Sequence, residues 1–277
     1  MLKINEHSPS KEKFLRGIVY DVGLKFNPNM ISVKNFEESS VTYDISIIAN
    51  ILRCNSIRIE GEEIFRLVTA AKIAHTYNLK VLINPWKMSV GEEETVEYMT
   101  EAAKSAEHLR KEGVDIIFVA GCEYTLFSKG VFPGETLNDR MAWFSSGFIG
   151  DSSQINERKN DLIEKNIKLN AILKNICVHV RKEFHGPVTY SSGTWETIDW
   201  NLFDIVGVDY YRNGEKEEEY LNGLLKYKSL NKEVIVMEFG CCTYKGAAKL
   251  GGGGFSILQG MDKDGHPMYL NNEKPVV

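Results

Sequence analysis

Residues 115–123 read Asp-Ile-Ile-Phe-Val-Ala-Gly-Cys-Glu, a short run rich in Val and Ile that ends in a carboxylate at Glu123. A second run of the same kind, residues 233–238, reads Glu-Val-Ile-Val-Met-Glu and ends at Glu238. Near-continuous apolar runs of this length are typical of strands buried on both faces of a parallel sheet. The sequence therefore predicts that Glu123 and Glu238 each lie at the end of a buried strand.

Strands of this type alternate with amphipathic helices along the chain. Strands are predicted at residues 16–23, 55–60, 79–86, 114–120, 186–192, 203–211 and 233–237, and helices at 41–52, 62–77, 92–111, 156–183 and 215–228. This alternation indicates an α/β fold with helices outside a parallel sheet. Seven strands in one series, with no G-x-G-x-x-G or Walker motif after any of them, favour a (β/α)8 TIM-barrel-like fold over a doubly wound sheet.

The prediction places the whole chain, residues 1–277, in a single barrel domain with an irregular Gly-rich tail at residues 246–277. The tail offers only weak strand candidates, at 255–258 and 268–270, so the barrel is expected to be incomplete at its eighth βα unit. Such a barrel leaves an exposed seam. The segment 124–154 is rich in Gly and aromatic residues and is predicted to be a long loop, which in a compact domain is usually functional.

Composition narrows the classes of function. The net charge is −5 and there is no basic block, which disfavours nucleic-acid and anionic-membrane partners. No apolar stretch is long enough for a signal peptide or a membrane span, and the five cysteines include no C-x-x-C pair. We therefore expect a cytoplasmic protein with reduced thiols. The histidines show no zinc-binding spacing, so neither a metal nor another cofactor is expected.

The two strand-end glutamates suggest paired carboxylate chemistry. The carboxyl ends of the strands in a parallel barrel meet at one face, where active sites collect. A pair of carboxylates there can serve as acid/base and nucleophile, as in glycoside hydrolysis. For each glutamate the alternative is a solvated or structural carboxylate. Arg58 on the second strand can hold Glu238 ionised, or can form a purely structural ion pair.

Other candidates for binding or supporting a substrate also lie at strand ends. Tyr210 and Tyr211 can orient a nucleophilic carboxylate, and Asp21 and Asn84 can bind hydroxyl groups. Trp86 and Trp195 can stack on sugar faces, Glu196 follows the fifth strand, and packing is the alternative for the aromatic residues. Cys122 is disfavoured as a nucleophile because no strand-end histidine is placed to activate it.

Several short stretches, taken together and in this order, resemble the retaining glycoside hydrolases of the large (β/α)8 clan. They are Gly17-Ile-Val-Tyr-Asp-Val-Gly, Gly121-Cys-Glu, Thr194-Trp-Glu, Asp204-Ile-Val-Gly-Val-Asp-Tyr-Tyr and Val236-Met-Glu-Phe-Gly-Cys. Within the clan, the chain resembles β-mannanase-like families and the bacterial barrel proteins called abortive infection proteins. The resemblance spans residues 15–255. It implies that Glu123 is the acid/base, that Glu238 is the nucleophile, and that Arg58 and Tyr210 or Tyr211 support Glu238.

The chain departs from that clan at two points. Cys122 stands where the clan usually has an Asn that binds the sugar 2-hydroxyl, and the strand that often supplies a Trp, the eighth, is not evident. The prediction is a retaining glycoside hydrolase that acts on β-linked sugars, with a small glycoside or oligosaccharide as its partner. Two alternatives stay open. One is a catalytically weak or inactive barrel that binds a sugar or a phage-defence partner, and the other is a non-hydrolytic enzyme that reuses the two glutamates.

Overall fold

The structure is a computed structural model that describes residues 14–27, 30–146, 152–242, 244–261 and 267–269. Its strands are β1 (Val19–Asp21), β2 (Lys25–Asn27), β3 (Met30–Ile31), β4 (Ser56–Gly61), β5 (Lys80–Pro85), β6 (Ile116–Cys122), β7 (Val188–Gly193), β8 (Val206–Asp209), β9 (Val234–Glu238), β10 (Leu258–Met261) and β11 (Pro267–Tyr269). Its helices are α1 (Glu38–Asn50), α2 (Ile64–Thr76), α3 (Glu92–Lys111), α4 (Tyr124–Phe127), α5 (Leu137–Ser146), α6 (Ser152–Glu183) and α7 (Glu217–Leu225).

Seven strands form one curled sheet in the order β1-β4-β5-β6-β7-β8-β9. Every neighbouring pair is parallel, and helices separate most successive strands along the chain. This is an incomplete (β/α)8 barrel, which confirms the predicted fold class. Within the described ranges β1 and β9 are the two edges of the sheet, and β10 pairs only with β11.

Residues of β4 alternate between two environments, and this alternation positions the site. Ile57 and Ile59 are fully buried in the large apolar core between the sheet and the helices. Arg58 and Glu60 therefore point to the inside of the barrel, since successive side chains of a strand face opposite sides. Deeper inside lies a small apolar cluster of Leu82, Ile117, Val119, Ile205 and Met237. Polar residues thus cover an apolar plug at the carboxyl ends of the strands.

The prediction of a long loop at residues 124–154 is wrong for most of that segment, which holds α4, α5 and the start of α6; residues 147–151 lie outside the described ranges. The reason is a tertiary contact that composition does not reveal. Arg140 is fully buried, and its guanidinium donates hydrogen bonds to the backbone carbonyls of Leu126, Gly134 and Glu135. Phe132 packs on Trp143 with ring centroids 4.6 Å apart, so these aromatic side chains stabilise helices.

Smaller differences lie at the two ends of the chain. The first sheet strand is shorter than predicted, and the antiparallel pair β2–β3 that follows it was not predicted. The predicted loop from Gly246 contains short 3-10 helices at Ala247–Lys249 and Gly251–Ile257. The candidate strand at 268–270 corresponds to β11, whereas the candidate at 255–258 lies mostly before β10; residues 262–266 and 270–277 are outside the described ranges.

Candidate active site

Glu238 is the last residue of β9 and is bound by two side chains, one on β4 and one just after β8. Arg58 Nη1 donates to its Oε1 at 2.8 Å, and the Tyr211 hydroxyl donates to its Oε2 at 2.9 Å. Both carboxylate oxygens thus accept a hydrogen bond, and Arg58 supplies a compensating charge. Of the two tyrosines predicted to support Glu238, Tyr211 makes this contact. Tyr210 instead packs on Tyr220, with ring centroids 4.9 Å apart.

Tyr211→Phe is expected to lower kcat about tenfold to a hundredfold if Glu238 reacts, because the substitution removes one hydrogen bond from the carboxylate. Tyr210→Phe is the matched control, since it removes a neighbouring hydroxyl that does not contact Glu238. Steady-state kinetics of both variants on the same substrate, with thermal denaturation to verify folding, tests this expectation. Equal losses in the two variants would contradict it.

Arg58 is surrounded by more acids than it can neutralise. Besides Glu238, its guanidinium nitrogens lie 3.3 Å from Glu60 Oε2 and 3.8 Å from Asp209 Oδ1. All four side chains are buried or nearly so, with exposed side-chain fractions of 3% for Arg58, 0% for Asp209, 11% for Glu60 and 18% for Glu238. One positive charge in a site of low dielectric does not stabilise three carboxylates.

Burial favours the protonated forms of two of these three acids, Glu60 and Asp209, and so reduces the negative charge around Arg58. Burial raises the pKa of Glu60 to about 7, with repulsion from Glu238 adding to the effect and Arg58 opposing it. Burial likewise raises the pKa of Asp209 to about 8, again reinforced by Glu238. Asp209 Oδ1 accepts a 2.6 Å hydrogen bond from the Ser191 hydroxyl. Burial therefore favours the protonated form of Asp209, and the shortest ion-pair contact of Arg58 in the cluster is the 2.8 Å contact with Glu238.

Glu123 follows β6 in a strained backbone conformation. Its φ of 41° and ψ of 48° lie in the left-handed region, and Gly121 before it also has a positive φ, of 128°. The register of β6 on β7 shifts between Val119 and Cys122, so a bulge turns the chain at this point. A left-handed non-glycine residue costs of order 1–3 kcal/mol, and such strain is concentrated at functional sites.

The surroundings of the Glu123 carboxyl group raise its pKa. Burial raises its pKa well above the usual value, and repulsion from Asp209, Glu238 and Glu196 raises it further, with only Arg58 acting against them. Glu123 and Glu238 therefore occupy contrasting environments at the same end of the barrel. Such contrast is how one site keeps a carboxylic acid beside a carboxylate.

The Cys122 thiol points into the acid cluster around Arg58. Its Sγ lies 3.3 Å from Arg58 Nη2, 3.7 Å from Glu238 Oε1 and 3.8 Å from Asp209 Oδ2. Burial raises the pKa of the thiol well above its usual value, so Cys122 is not an activated nucleophile. Its Sγ and the oxygens of Asp209 and Glu238 lie within 4.8 Å of one another, but the Arg58 guanidinium among them repels a metal cation.

Three other predicted residues lie at the same end of the sheet, on β1 and at β5. Asp21 Oδ1 accepts a 2.7 Å hydrogen bond from the Gly23 amide, which fixes a local turn. Asn84 is fully buried beside Glu60 in the sheet register, and neither its amide nitrogen nor its oxygen has a partner. Trp86 packs edge-to-face on Phe127 with centroids 4.8 Å apart, and its indole N–H also has no partner.

Glu196 and Trp195 both form hydrogen bonds with other residues of the protein. The Glu196 carboxyl accepts hydrogen bonds from the Thr125 amide and hydroxyl, the Tyr190 hydroxyl and the Gly193 amide. The Trp195 indole donates to the Thr125 hydroxyl at 2.9 Å. The Glu196 carboxyl is therefore occupied by groups of the protein. The Trp195 ring is partly exposed, and its stacking on a sugar stays a prediction.

Sequence reasoning missed Glu60 and Ser191 as members of the acid cluster. Glu60 had a usable signal, because it lies two residues after Arg58 on a strand and so shares its face. Ser191 had none, since its role depends on how β7 and β8 pair around Asp209.

No protein-family model and no curated protein matches the chain. Solved structures do match its fold. The GH113 β-mannanase AaManA from Alicyclobacillus acidocaldarius, in complex with ManMIm, is 15% identical, with 85% of this chain and 74% of that chain covered and a TM-score of 0.54. Two other structures of GH113 β-1,4-mannanase are 13% identical, with coverages of 85% and 75% and TM-scores of 0.53 and 0.52. This likeness shows a glycoside hydrolase-like fold.

Among the described residues, no helix is both long enough and apolar enough to cross a membrane.

Proposed function

We propose that the protein is a retaining glycoside hydrolase that acts on β-linked sugars. The observation that carries the proposal is the contrast between two carboxyl groups at one end of the barrel. Burial and neighbouring acids raise the pKa of Glu123 well above its usual value, whereas Glu238 accepts hydrogen bonds from Arg58 and Tyr211. A protonated and an ionised carboxyl are the two groups that glycoside cleavage requires.

In the proposed reaction Glu238 attacks the anomeric carbon while Glu123 gives its proton to the departing glycosidic oxygen. The bond between the anomeric carbon and that oxygen breaks, and a glycosyl ester forms on Glu238. Glu123, now a carboxylate, takes a proton from water as the water oxygen attacks the anomeric carbon. The ester bond breaks, Glu238 leaves as a carboxylate, and Glu123 is protonated again.

The proposed substrates are β-mannosides and related β-linked oligosaccharides, on the strength of the fold shared with β-mannanases. The unpartnered polar atoms of Asn84 and Trp86 support a hydroxyl-rich ligand, because a hydroxyl group both donates and accepts hydrogen bonds. Hydrolysis of aryl β-glycosides and of manno- and gluco-oligosaccharides tests the proposal directly. Turnover of none of them would count against it.

A second candidate function is a barrel that binds a sugar without cleaving it. The observation that favours it is the position of Cys122, whose thiol contacts Arg58 and Glu238 and is only 3% exposed. A thiol so placed does not replace an amide that binds a sugar hydroxyl. Saturable binding of oligosaccharides without turnover would support this candidate.

The role of Glu123 has its own test. Glu123→Ala, assayed on an aryl glycoside whose leaving group needs no proton, is expected to accumulate the glycosyl-enzyme, because no base remains to activate water. Azide is an anionic nucleophile that needs no base, so it is expected to restore turnover at least tenfold and to give a β-glycosyl azide. The products are identified by NMR.

Glu135→Ala is the control for this experiment. The Glu135 side chain is 85% exposed and forms an ion pair with Lys129 outside the acid cluster. It should turn over at the unmodified rate and give no azide product. An α-glycosyl azide, or no rescue of Glu123→Ala, would contradict the assignment of Glu123 as acid/base.

A further inference from the structure

Glu196 is a buried carboxyl group that accepts four hydrogen bonds from its own protein. We propose that Glu196 is a positioning residue that clamps the strained turn that presents Glu123. The inference rests on the proposed function, since it concerns the acid/base of that reaction. It assigns Glu196 a role different from the substrate contact that its position in the sequence suggests.

The turn at Glu123 is held first by its own backbone. The Glu123 amide donates to the Ser191 carbonyl on β7 at 2.9 Å. The Glu123 carbonyl accepts hydrogen bonds from the amides of Leu126 and Phe127, at 2.9 and 3.1 Å. These bonds satisfy the polar groups of a left-handed residue, but they do not fix the two residues that follow it.

Glu196 fixes those two residues. The amide and hydroxyl of Thr125 donate to Glu196 Oε1 at 3.1 and 2.8 Å. The Tyr124 amide donates to the Tyr190 hydroxyl at 2.7 Å, and that hydroxyl donates in turn to Glu196 Oε2 at 2.9 Å. All of these side chains are at least nine-tenths buried, so the network is closed to water and its geometry is unique. A strained residue persists only where its surroundings determine it in this way.

The charge of Glu196 acts on Glu123 as well. Repulsion from Glu196 is one of the causes that raise the pKa of Glu123, together with burial, Asp209 and Glu238 and against Arg58. Burial raises the pKa of Glu196 itself to about 7, with its hydrogen bonds to Thr125 and Tyr190 opposing the rise. Glu196 is therefore ionised above that pH, which is the range in which a high Glu123 pKa matters.

Glu196→Gln tests the hydrogen-bonded clamp and the effect of the Glu196 charge together. An amide has one acceptor oxygen, and its NH2 group would meet donors, so the turn loosens and the negative charge disappears. We expect kcat to fall about tenfold to a hundredfold with little change in KM, and the basic limb of the pH–rate profile to move to lower pH. The shift goes to lower pH because the repulsion that favours protonated Glu123 is gone.

A second variant separates the hydrogen bonds from the charge, and a third serves as a control. Tyr190→Phe removes the hydroxyl that holds Tyr124 but keeps the carboxyl group of Glu196, so kcat should fall while the basic limb moves less than in Glu196→Gln. Glu112→Gln, at a site whose side chain is 54% exposed, should change neither quantity. The pKa of Glu123 is also read from the carboxyl infrared band that Glu123→Gln removes, which needs no turnover.

An unchanged Glu123 titration in Glu196→Gln, with unchanged kcat, would overturn the inference. The spectroscopic titration keeps this outcome distinct from failure of the proposed function. If the unmodified protein hydrolyses no glycoside but Glu196→Gln still lowers the Glu123 pKa, the electrostatic link stands and the proposed function falls.

Discussion

Glu238→Gln is expected to lower kcat for glycoside hydrolysis by about 10⁴-fold or more, because it removes the only group proposed to form the glycosyl-enzyme. Gln has the same shape and can still accept a hydrogen bond from Arg58, so the fold and ligand binding should persist. The measurement is steady-state turnover of an aryl β-glycoside, with oligosaccharide binding followed by calorimetry in the same variant.

Glu233→Gln is the matched control because Glu233 immediately precedes the same strand at its opposite end and is exposed. It should retain the unmodified kcat. A Glu238→Gln variant that keeps more than a tenth of the activity would exclude Glu238 as nucleophile. Loss of binding along with turnover would instead assign Glu238 to recognition of the ligand.

Arg58→Met is expected to cause the largest loss of stability, about 3–5 kcal/mol near neutral pH. The substitution removes the cation that, among the described residues, pairs with Glu60, Asp209 and Glu238, and it leaves these buried acids without a positive partner. Without Arg58 the folded-state pKa values of Glu60 and Asp209 rise further above their unfolded values, because Arg58 opposes the rise that burial causes. The folded variant then holds protons that the unfolded chain has lost, so its stability falls as the pH rises from about 4 towards 8. Denaturant unfolding at pH 5 and pH 8 measures both effects.

Arg181→Met is the control, since Arg181 forms a surface ion pair with Asp204 and its side chain is 38% exposed. Its loss should cost less than about 1 kcal/mol and should depend little on pH over this range. If Arg58→Met does not fold, Arg58→Lys provides a milder test because it keeps the charge and loses the planar fork. Equal stability losses for Arg58→Met and Arg181→Met would contradict the cluster described here.

The sequence by itself determined the architecture. Continuous apolar runs such as residues 116–120 and 234–237 predict strands of a covered sheet, and alternation with amphipathic helices makes that sheet parallel. The structure buries the first run fully, whereas the second forms the edge strand β9, in which residues 234–236 are only half-buried. The positions of Glu123 and Glu238 at strand ends followed from the same runs, and the position of Arg58 on the second predicted strand followed likewise. These features depend on nearest neighbours along the chain, which is why local pattern is sufficient for them.

Only the tertiary structure decided which side chains meet. Tyr210 and Tyr211 are adjacent and chemically identical, and the curl of the sheet puts the hydroxyl of Tyr211 alone on Glu238. Glu196 follows a strand end as the predicted active-site residues do, yet the path of the chain turns it onto Thr125.

The same limit explains the segment after Glu123. Its Gly and aromatic residues indicate a loop, but a buried guanidinium at Arg140 ties the segment into helices. Proton occupancy in the acid cluster likewise depends on burial and on distances between strands that are remote in sequence. Periodicity gives the face of the strand on which each residue lies. The contacts between side chains, their burial and the balance of charge arise only when the sheet has curled around Arg58.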